Sequence, residues 1–420
     1  MKYLLALLSF VFVVPLKAWK FNDYFEDKTL RADYIFSGNN KEQSIALSQL
    51  SMSEGWHGRR VNLDKLLFDG NAQITMTDSA SGKVIFAYSF STLFQEWQHT
   101  EEATMVNKAF ENTVLLPMPK HSAYLTLKLR NSHKKTVCEM RHKVSPHDIL
   151  IRRCTSGPHS DKLKPFMKNG SSAECIDLVY VAEGYTDDEM PQFYADVETA
   201  VEAMMSHEPF GKYRKRFNIY TLAIPSQQTD VSQPLQGKWH DTPAMSHFST
   251  FYSDRYLMTE RLFALHDALQ AVPYEHIIIL ANTPTYGGGG IYNMYMLTTA
   301  RHSQFQPVVV HEFGHSFAGL ADEYFYDDQY ETYYPADTEP WEPNITTLVD
   351  FKSKWASMLP HRSNTKPGCP GLYEGGGYQS KGVWRHSFDC RMRTNTCSEF
   401  CPVCKAAIEK TICYHTEELK

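Results

Sequence analysis

The sequence lacks the features of several classes of protein. It has no run rich in lysine and arginine and no sustained heptad repeat, and its formal net charge is -6. We therefore expect neither a nucleic-acid surface nor a long coiled coil. The apolar run from Tyr3 to Pro15 is shorter than the ~20 residues that a membrane-spanning helix needs. With 42% hydrophobic and 21% charged residues, the chain has the composition of a globular protein that buries a sizeable core.

The N-terminus has the layout of a signal peptide. Lys2 precedes the apolar run, which is followed by Leu16, Lys17 and the small residue Ala18. No cysteine lies near Ala18, so nothing suggests a lipid anchor. We expect residues 1–18 to be a signal peptide and the protein to be exported to the periplasm, the cell surface or the medium. A hydrophobic first strand is the alternative.

Residues 19–154 alternate apolar and polar side chains with a period of two, which is typical of half-buried strands. The apolar positions include Ala72, Ile74, Met76, Val84, Phe86, Tyr88, Leu125, Leu127 and Leu129. This pattern predicts an antiparallel β-sandwich. The polar stretch 155–172 contains glycine, proline and serine and is predicted to be a linker.

Beyond the linker, strand and helix patterns alternate. "CIDLVYVAEGY" reads as a buried strand, and Thr186 with Glu189 has the spacing of a capping box at a helix start. "FNIYTLAIP" and "HIIILA" read as further strands, with a helix between them that ends at Pro273. The predicted fold is therefore multidomain, with the β-sandwich followed by an α/β domain over residues 173–420.

The segment "VVVHEFGHSFAGLADEY" contains the pattern H-E-x-x-H. On a helix that starts near Pro307, His311 and His315 are four residues apart and point from one face, so they could share a zinc ion. Glu312 lies one step round the helix and suits a general base that takes a proton from an attacking water. The alternative is a buried helix whose two histidines have ordinary hydrogen-bond partners.

A catalytic zinc needs a third protein ligand, and Asp322 is the first candidate. On a continuous helix Asp322 would lie ~16 Å along the axis from His311, so the helix must end before it. Gly319 can take the left-handed conformation of a helix C-cap and turn the chain back. Glu323 is the rival ligand.

The string "HEFGHSFAGLADEY", together with the later "CRMR" and "FCPVC", resembles the bacterial immunoglobulin-A metallopeptidase family. The order of H-E-x-x-H, glycine and third ligand is similar to that of the metzincin clan of zinc peptidases. Here Gly319 and Asp322 each stand one residue later than in the common metzincin form, and the acidic Asp322 replaces a histidine. The resemblance implies a β-rich N-terminal domain, a zinc-dependent catalytic domain with His311, His315 and Asp322 as ligands, and protein substrates. Host glycoproteins and immunoglobulin are candidate substrates, but the immunoglobulin specificity is not transferred to this chain.

The same resemblance implies that Met392 is the Met-turn residue below the histidine ligands, whereas a core filler is the reading from the residue alone. Many metzincins have a tyrosine two residues after this methionine, where this chain has Thr394. Tyr324 and Arg393 are the candidates for the group that stabilises the oxyanion.

Two loops border the motif. In "TYGGGGIYNMYML" before it, four glycines permit close backbone approach, and the run that follows them is interpreted as an exposed edge strand that could pair with an extended substrate. A plain turn is the alternative. The acidic and aromatic stretch "DEYFYDDQYETYYPADTEPWEP" after it could shape the cleft or bind Ca²⁺, but a solvated loop also fits and nothing else in the sequence supports calcium.

Six of the nine cysteines lie in the last 52 residues, which predicts a cross-linked C-terminal region. "CPVC" at a helix start also resembles a thiol oxidoreductase motif. Structural disulfides are the favoured interpretation, and a second zinc site of Cys397, Cys401 and Cys404 is the minor one.

Three functions follow from these patterns. The first is a secreted zinc endopeptidase with Glu312 as its base, which the intact His311 and His315 favour. The second is an extracellular module that binds a glycan or a protein and carries a silent peptidase-like domain. The third is a thiol-exchange protein that uses Cys401.

Overall fold

The computed structural model describes residues 20–154, 156–326, 333–360 and 369–418. The predicted signal peptide, residues 1–18, lies outside the described residues, as does part of the acidic stretch discussed for calcium. No helix in the described ranges is both long and apolar enough to cross a membrane.

The N-terminal region consists of two four-stranded sheets. The first has the order β5-β1-β2-β8 and the second the order β4-β3-β6-β7. Two short helices, α1 (Phe21–Tyr24) and α2 (Leu93–Trp97), accompany them. The strands are β1 (Phe25–Gly38), β2 (Gln43–Glu54), β3 (Ala72–Asp78), β4 (Val84–Phe90), β5 (Lys108–Pro119), β6 (Ala123–Arg130), β7 (Thr136–Val144) and β8 (Arg152–Cys154).

The period-two pattern explains how these sheets bury one face. On β3, Ala72, Ile74 and Met76 are fully buried, and Leu125 and Leu127 on the neighbouring β6 are buried beside them. The prediction of a β-rich N-terminal region is therefore confirmed. The expectation of purely antiparallel pairing is wrong at one place, because β2 and β8 pair in parallel.

A six-stranded sheet forms the centre of the following region, with the order β13-β14-β12-β10-β11-β9. The four inner strands pair in parallel, and the edge strands β9 and β13 are antiparallel to their neighbours. The elements are β9 (Leu163–Met167), β10 (Ile176–Glu183), α3 (Met190–Met205), β11 (Phe217–Leu222), α4 (Leu262–Ala268), β12 (His276–Ala281), β13 (Gly288–Ile291), β14 (Tyr295–Thr299) and α5 (Phe305–Ala318).

Local sequence signals set several of these boundaries. Thr186 and Glu189 form the predicted capping box on a 3₁₀ turn that leads into α3, and Phe193 and Val197 of this helix are fully buried. The predicted linker needs a correction, because its residues 163–167 form β9 at the edge of the sheet. Pro165 fits an edge strand, because it has no N–H to donate to a neighbour on both sides.

The C-terminal part adds a small sheet and a helix. This sheet has the order β15-β18-β16, with β17 also paired to β18. The elements are β15 (Phe325–Tyr326), β16 (Ile345–Thr346), β17 (Tyr373–Gly376), β18 (Tyr378–Arg385) and α6 (Pro402–Thr416). The segment between β18 and α6 runs below α5, where the sulfur of Met392 lies 2.7 Å from the position that a Cβ on Gly314 would take.

The N-terminal sheets and the central sheet share one apolar core. A single cluster of buried side chains includes Leu125 and Phe86 from the first region and Ile277 and Leu297 from the second. Polar contacts cross the same boundary, since Arg31 forms a 2.6 Å ion pair with Asp267. The first region is therefore packed firmly against the region that carries the H-E-x-x-H motif.

Candidate functional site

Helix α5 presents both histidines of the motif to one space. The Nε2 atoms of His311 and His315 are 3.0 Å apart, and both side chains keep a small exposed fraction of 12% and 15%. The helix begins at Phe305, two residues before the predicted start, and ends at Ala318. Its four-residue spacing brings the two rings together, as helical geometry requires.

The chain turns back after α5 as predicted. Gly319 caps the helix with φ 59° and ψ 29°, which is the left-handed conformation that glycine adopts most easily. This turn brings Oδ1 of Asp322 to 2.9 Å from Nε2 of His311 and 3.2 Å from Nε2 of His315. The three candidate ligands therefore meet, although Asp322 is eleven residues beyond His311.

Hydrogen bonds orient both imidazole rings. Nδ1–H of His311 donates to the carbonyl oxygen of Arg391 at 3.0 Å, and Nδ1–H of His315 donates to the carbonyl oxygen of Leu320. In the neutral rings these bonds leave the Nε2 lone pairs directed at the shared space. This is the tautomer that a histidine metal ligand needs.

The donor atoms fit a zinc ion. Bonds of ~2.0 to 2.1 Å in a tetrahedral arrangement place two ligand atoms about 3.3 Å apart. The observed separations of 2.9 to 3.2 Å between Nε2 of His311, Nε2 of His315 and Oδ1 of Asp322 are within a few tenths of an ångström of that value. Two imidazoles and one carboxylate are also a donor set that suits zinc.

The charges of the site favour a cation. Burial opposes ionisation of both His315 and Asp322, but the carboxylate of Asp322 raises the pKa of His315 to about 9. The two histidines in turn hold the pKa of Asp322 well below its usual range. A metal ion would take the place of the proton on the imidazole, so metal binding should release protons.

Glu312 lies at the same opening, between the histidines and strand β13. Its Oε1 is 3.4 Å from the position that a Cβ on Gly288 would take. Burial raises the pKa of Glu312, while His311 and His315 oppose the shift. The carboxylate is therefore next to the candidate ligands without bonding to them, as a general base would be.

Strand β13 forms the edge of the sheet beside α5. A Cβ on Gly290 would lie 2.3 Å from the carbonyl oxygen of Glu312, so only glycine allows this close approach. The stretch "TYGGGGIYNMYML" does contain an edge strand, but the predicted position is wrong, because the glycines themselves form β13 and Tyr295–Leu297 of the run after them belong to the inner strand β14. The edge of β13 is partly covered, because Tyr256 makes an isolated bridge to Gly288. A substrate strand that pairs there would have to replace or extend this bridge.

Glu323, the rival ligand, faces away from the histidines. Its Oε1 accepts a hydrogen bond from Asn344 at 3.0 Å and lies 3.1 Å from the sulfur of Cys404. Burial raises the pKa of Glu323 to about 8, with Cys401 as the next cause. Neighbouring side chains on an extended segment point in opposite directions, so Asp322 and Glu323 serve different clusters.

The other residues named from the sequence have distinct positions. Met392 is fully buried below α5, and its carbonyl oxygen accepts the backbone N–H of Glu323 at 2.8 Å. The ring of Tyr324 is nearly parallel to that of His311, with centroids 6.4 Å apart. Arg393 instead donates to the carbonyl oxygen of Phe388 at 2.9 Å and lies over its ring. Of the two oxyanion candidates, Tyr324 is therefore the one that the structure brings to the histidines.

Tyr378 is a site residue that the sequence did not indicate. Its hydroxyl group donates a short hydrogen bond to Oδ2 of Asp322, the oxygen that does not face the histidines. It lies at the start of β18, 56 residues after Asp322. No local pattern marks this tyrosine, because its role depends on how the small C-terminal sheet folds back.

The N-terminal region also supplies a residue near the site. Glu96 on α2 accepts a short hydrogen bond from the hydroxyl group of Tyr256, whose backbone bridges to Gly288. Burial raises the pKa of Glu96 to about 7, and Tyr256 and His315 oppose the shift. The electrostatic environment of the cleft therefore includes a carboxyl group from the first region.

The cysteines do not form the predicted disulfides. All nine lie in the described ranges and carry free thiols. Cys401 caps α6 with Pro402 at its first turn, as predicted for "CPVC". The thiols of Cys390, Cys401 and Cys404 converge beside Glu323, whereas Cys397 donates to the carbonyl oxygen of Glu399. Cys390 therefore stands where the sequence suggested Cys397.

Two protein-family models match the chain. A model described as IgA Peptidase M64 matches residues 165–367 and 360–412, and one described as Peptidase M64 N-terminus matches residues 20–140. A search of curated proteins found no match. The matched residues of the first model cover more than half of the chain and include the candidate ligands and the cysteine cluster. The chain belongs to the IgA peptidase M64 family and is a metallopeptidase that acts on protein substrates.

Proposed function

We propose that the chain is a zinc-dependent endopeptidase in which His311, His315 and Asp322 bind zinc and Glu312 is the general base. The observation that carries this proposal is the meeting of two Nε2 atoms and one carboxylate oxygen within 3.2 Å of one another. A site with three protein ligands leaves a coordination position open, which is typical of catalytic rather than structural zinc.

Residues of α5 and of the segments packed beside it divide the chemistry between them. A zinc ion held by His311, His315 and Asp322 would supply Lewis-acid polarisation of the peptide carbonyl and would lower the pKa of water toward ~7. Glu312 accepts the proton of the attacking water and delivers it to the leaving amine. Tyr378 holds Asp322 through its second oxygen. Tyr324, next to His311, is the proposed donor to the oxyanion.

We propose the same organisation for the whole chain as the sequence indicates. Residues 1–18 direct export, 19–154 form the N-terminal domain, and 173–420 form a metzincin-like catalytic domain. The mixed six-stranded sheet, the helix with both histidines and the buried Met392 below it support the metzincin-like assignment. The proposed linker, 155–172, includes the edge strand β9.

The narrower substrate proposal is a host glycoprotein or immunoglobulin. It is supported by the description of the matching family as IgA peptidase. Incubation of the purified protein with immunoglobulin A, immunoglobulin G and a denatured unrelated protein separates the alternatives. Cleavage of only the denatured protein would reject the immunoglobulin proposal and keep the endopeptidase.

The variant Glu312→Gln tests the catalytic roles. We expect it to bind zinc as the wild type does and to lose activity by ~10²- to 10⁴-fold, the usual contribution of a general base. Glu409→Gln is the matched control, since Glu409 is on helix α6 and pairs with Lys212 at 2.7 Å. Zinc content and cleavage of a denatured protein are measured on both. Undiminished activity in Glu312→Gln would end the proposal.

A further inference from the structure

A second cluster of metal-binding side chains lies behind the first. The thiols of Cys390, Cys401 and Cys404 and the carboxylate of Glu323 place their ligand atoms within 4.8 Å of one another. Cys390, Cys404 and Glu323 are fully buried, and Cys401 is 5% exposed. Water therefore has little access to this cluster, in contrast to the histidine site.

The distances match those around a tetrahedral metal. A Zn–S bond of ~2.3 Å places two thiolate sulfurs about 3.8 Å apart, whereas bonded disulfide sulfurs are ~2.05 Å apart. The sulfurs of Cys390 and Cys404 are 3.8 Å apart. Oε1 of Glu323 lies 3.1 Å from the sulfur of Cys404 and 3.8 Å from that of Cys401. These values lie on both sides of the ~3.5 Å that a zinc-bound sulfur and oxygen require.

The backbone is arranged to stabilise thiolates. The N–H of Cys401 points to the sulfur of Cys390 at 3.2 Å, and the N–H of Cys404 points to the sulfur of Cys401 at 3.5 Å. Cys401 is also the N-cap of the fifteen-residue helix α6, where the helix dipole favours negative charge. Both features favour the ionised sulfur that binds metal.

One oxygen of the buried Glu323 carboxylate lacks a hydrogen-bond partner among the described residues. Oε2 is buried and has no hydrogen-bond partner among the described residues, and Oε1 has Asn344 as its polar side-chain donor. A buried carboxylate that is only partly hydrogen-bonded is costly. A cation between this carboxylate and the three sulfurs would remove the cost.

We propose that Cys390, Cys401, Cys404 and Glu323 form a second, structural zinc site. Thiolates are soft ligands that select zinc among the common divalent ions, and four protein ligands leave no position open for a substrate. Each thiol gives up its proton when the metal binds. This site does not depend on the catalytic role proposed for His311 and His315.

A metal in the second site would stabilise the backbone segments that position the residues of the first site. Cys390 directly precedes Arg391, whose carbonyl oxygen orients His311 at 3.0 Å, and Glu323 directly follows Asp322. The N–H of Glu323 also donates to the carbonyl oxygen of Met392 at 2.8 Å. A metal bound by Glu323 would thus hold its chain neighbour Asp322, a ligand of the first site. The same metal, bound by Cys390, would hold Arg391, whose carbonyl oxygen orients His311.

Metal analysis of the full chain tests the proposal. We expect two zinc ions per chain in the wild type and one in the double variant His311→Ala/His315→Ala. Cobalt bound to this double variant should show the near-ultraviolet charge-transfer absorption of thiolate ligands. Cys404→Ser should lose one of the two zinc ions, and Cys397→Ser, the matched cysteine control, should keep both.

Three outcomes would overturn the proposal. The first is a folded double histidine variant that carries no zinc after desalting. The second is cobalt bound to that variant without thiolate absorption. The third is an intact mass lower by two hydrogens, with Cys390 or Cys401 linked to Cys404. The double histidine variant decides the question even if Cys404→Ser fails to fold, because it leaves all four proposed ligands in place.

Discussion

Replacing Tyr378 with phenylalanine should weaken zinc binding without removing any zinc ligand. The hydroxyl group of Tyr378 donates to Oδ2 of Asp322, while Oδ1 faces the two histidines. Phenylalanine keeps the ring and removes only this donor. Asp322 is 6% exposed, so water has little room to replace the lost hydrogen bond.

The size of the effect follows from the charge on the acceptor. A hydrogen bond to an ionised group contributes ~1.5 to 3 kcal/mol, and every ~1.4 kcal/mol is a factor of ten in a dissociation constant. We therefore expect zinc to bind Tyr378→Phe about 10- to 100-fold more weakly, which is also the usual effect of losing a partner of a metal ligand. At saturating zinc the loss in kcat should be much smaller, because Asp322 is still present.

Competition with a chelator of known affinity gives the dissociation constant for zinc, and peptide cleavage at saturating zinc gives kcat. Tyr326→Phe is the matched control. Tyr326 is 42% exposed, and its ring lies 6.4 Å from that of Tyr378 and 5.7 Å from that of Tyr324, whereas the hydrogen bond to Asp322 comes from Tyr378. Unchanged zinc affinity in Tyr378→Phe would refute the reasoning. A large loss of kcat with unchanged affinity would instead make Tyr378 a group that acts on the substrate.

Three further predictions concern the turn, a buried histidine and the metal. Gly319→Ala should lower the free energy of unfolding in urea by ~2 to 4 kcal/mol, because its Cβ would lie 2.7 Å from Trp341 at a left-handed φ. Gly237→Ala is the control: Gly237 is also left-handed but has no described atom within 4 Å of its Cβ position, so this change should cost only about 1 kcal/mol. Equal losses would contradict the steric argument. Burial, with His415 as the next cause, holds the pKa of His276 well below 6.5, so this ring stays neutral when folded and gains a proton on unfolding below pH 6.5. The stability that the neutral ring contributes is present above that pH and is lost as the pH falls. Between pH 7.5 and 5.5 the free energy of unfolding of the wild type should therefore fall by about 1.4 kcal/mol more than that of His276→Leu. Urea midpoints that change equally with pH in the two proteins would disprove this. Removal of zinc by a chelator should abolish cleavage and lower the Tm, since a ligand at 1,000 times its Kd stabilises a protein by ~4 kcal/mol. Added zinc should restore both the activity and the Tm. A chelated protein with full activity would exclude a metal role.

The sequence was informative where the relevant contacts are local. The spacing of His311 and His315 on one helix required only helical geometry. Placing Asp322 beside them required one further step, namely that Gly319 ends the helix. Because these residues lie within twelve positions of one another, the short-range conformation of the backbone decides their arrangement.

Contacts between distant segments could not be read in the same way. Glu96 approaches the site only because α2 packs beside Tyr256, 160 residues later in the chain. The sequence grouped Cys397 with Cys401 because they are neighbours, but the fold selects Cys390, whose backbone runs under α5. Likewise, residues 163–167, which include Pro165, become a strand because β11 offers them an edge.

The continuous apolar core predicts that the N-terminal sheets and the central sheet of this enzyme unfold together. Phe86 of the first sheets and Ile277 of the central sheet belong to one buried cluster. Separating the two regions would expose apolar surface on both pieces, and the hydrophobic effect opposes that. Heating should therefore give one cooperative transition rather than two. A protease that cuts the chain near residue 155 should leave the two fragments associated, so a minimal peptidase without its N-terminal half would have to be redesigned rather than simply excised.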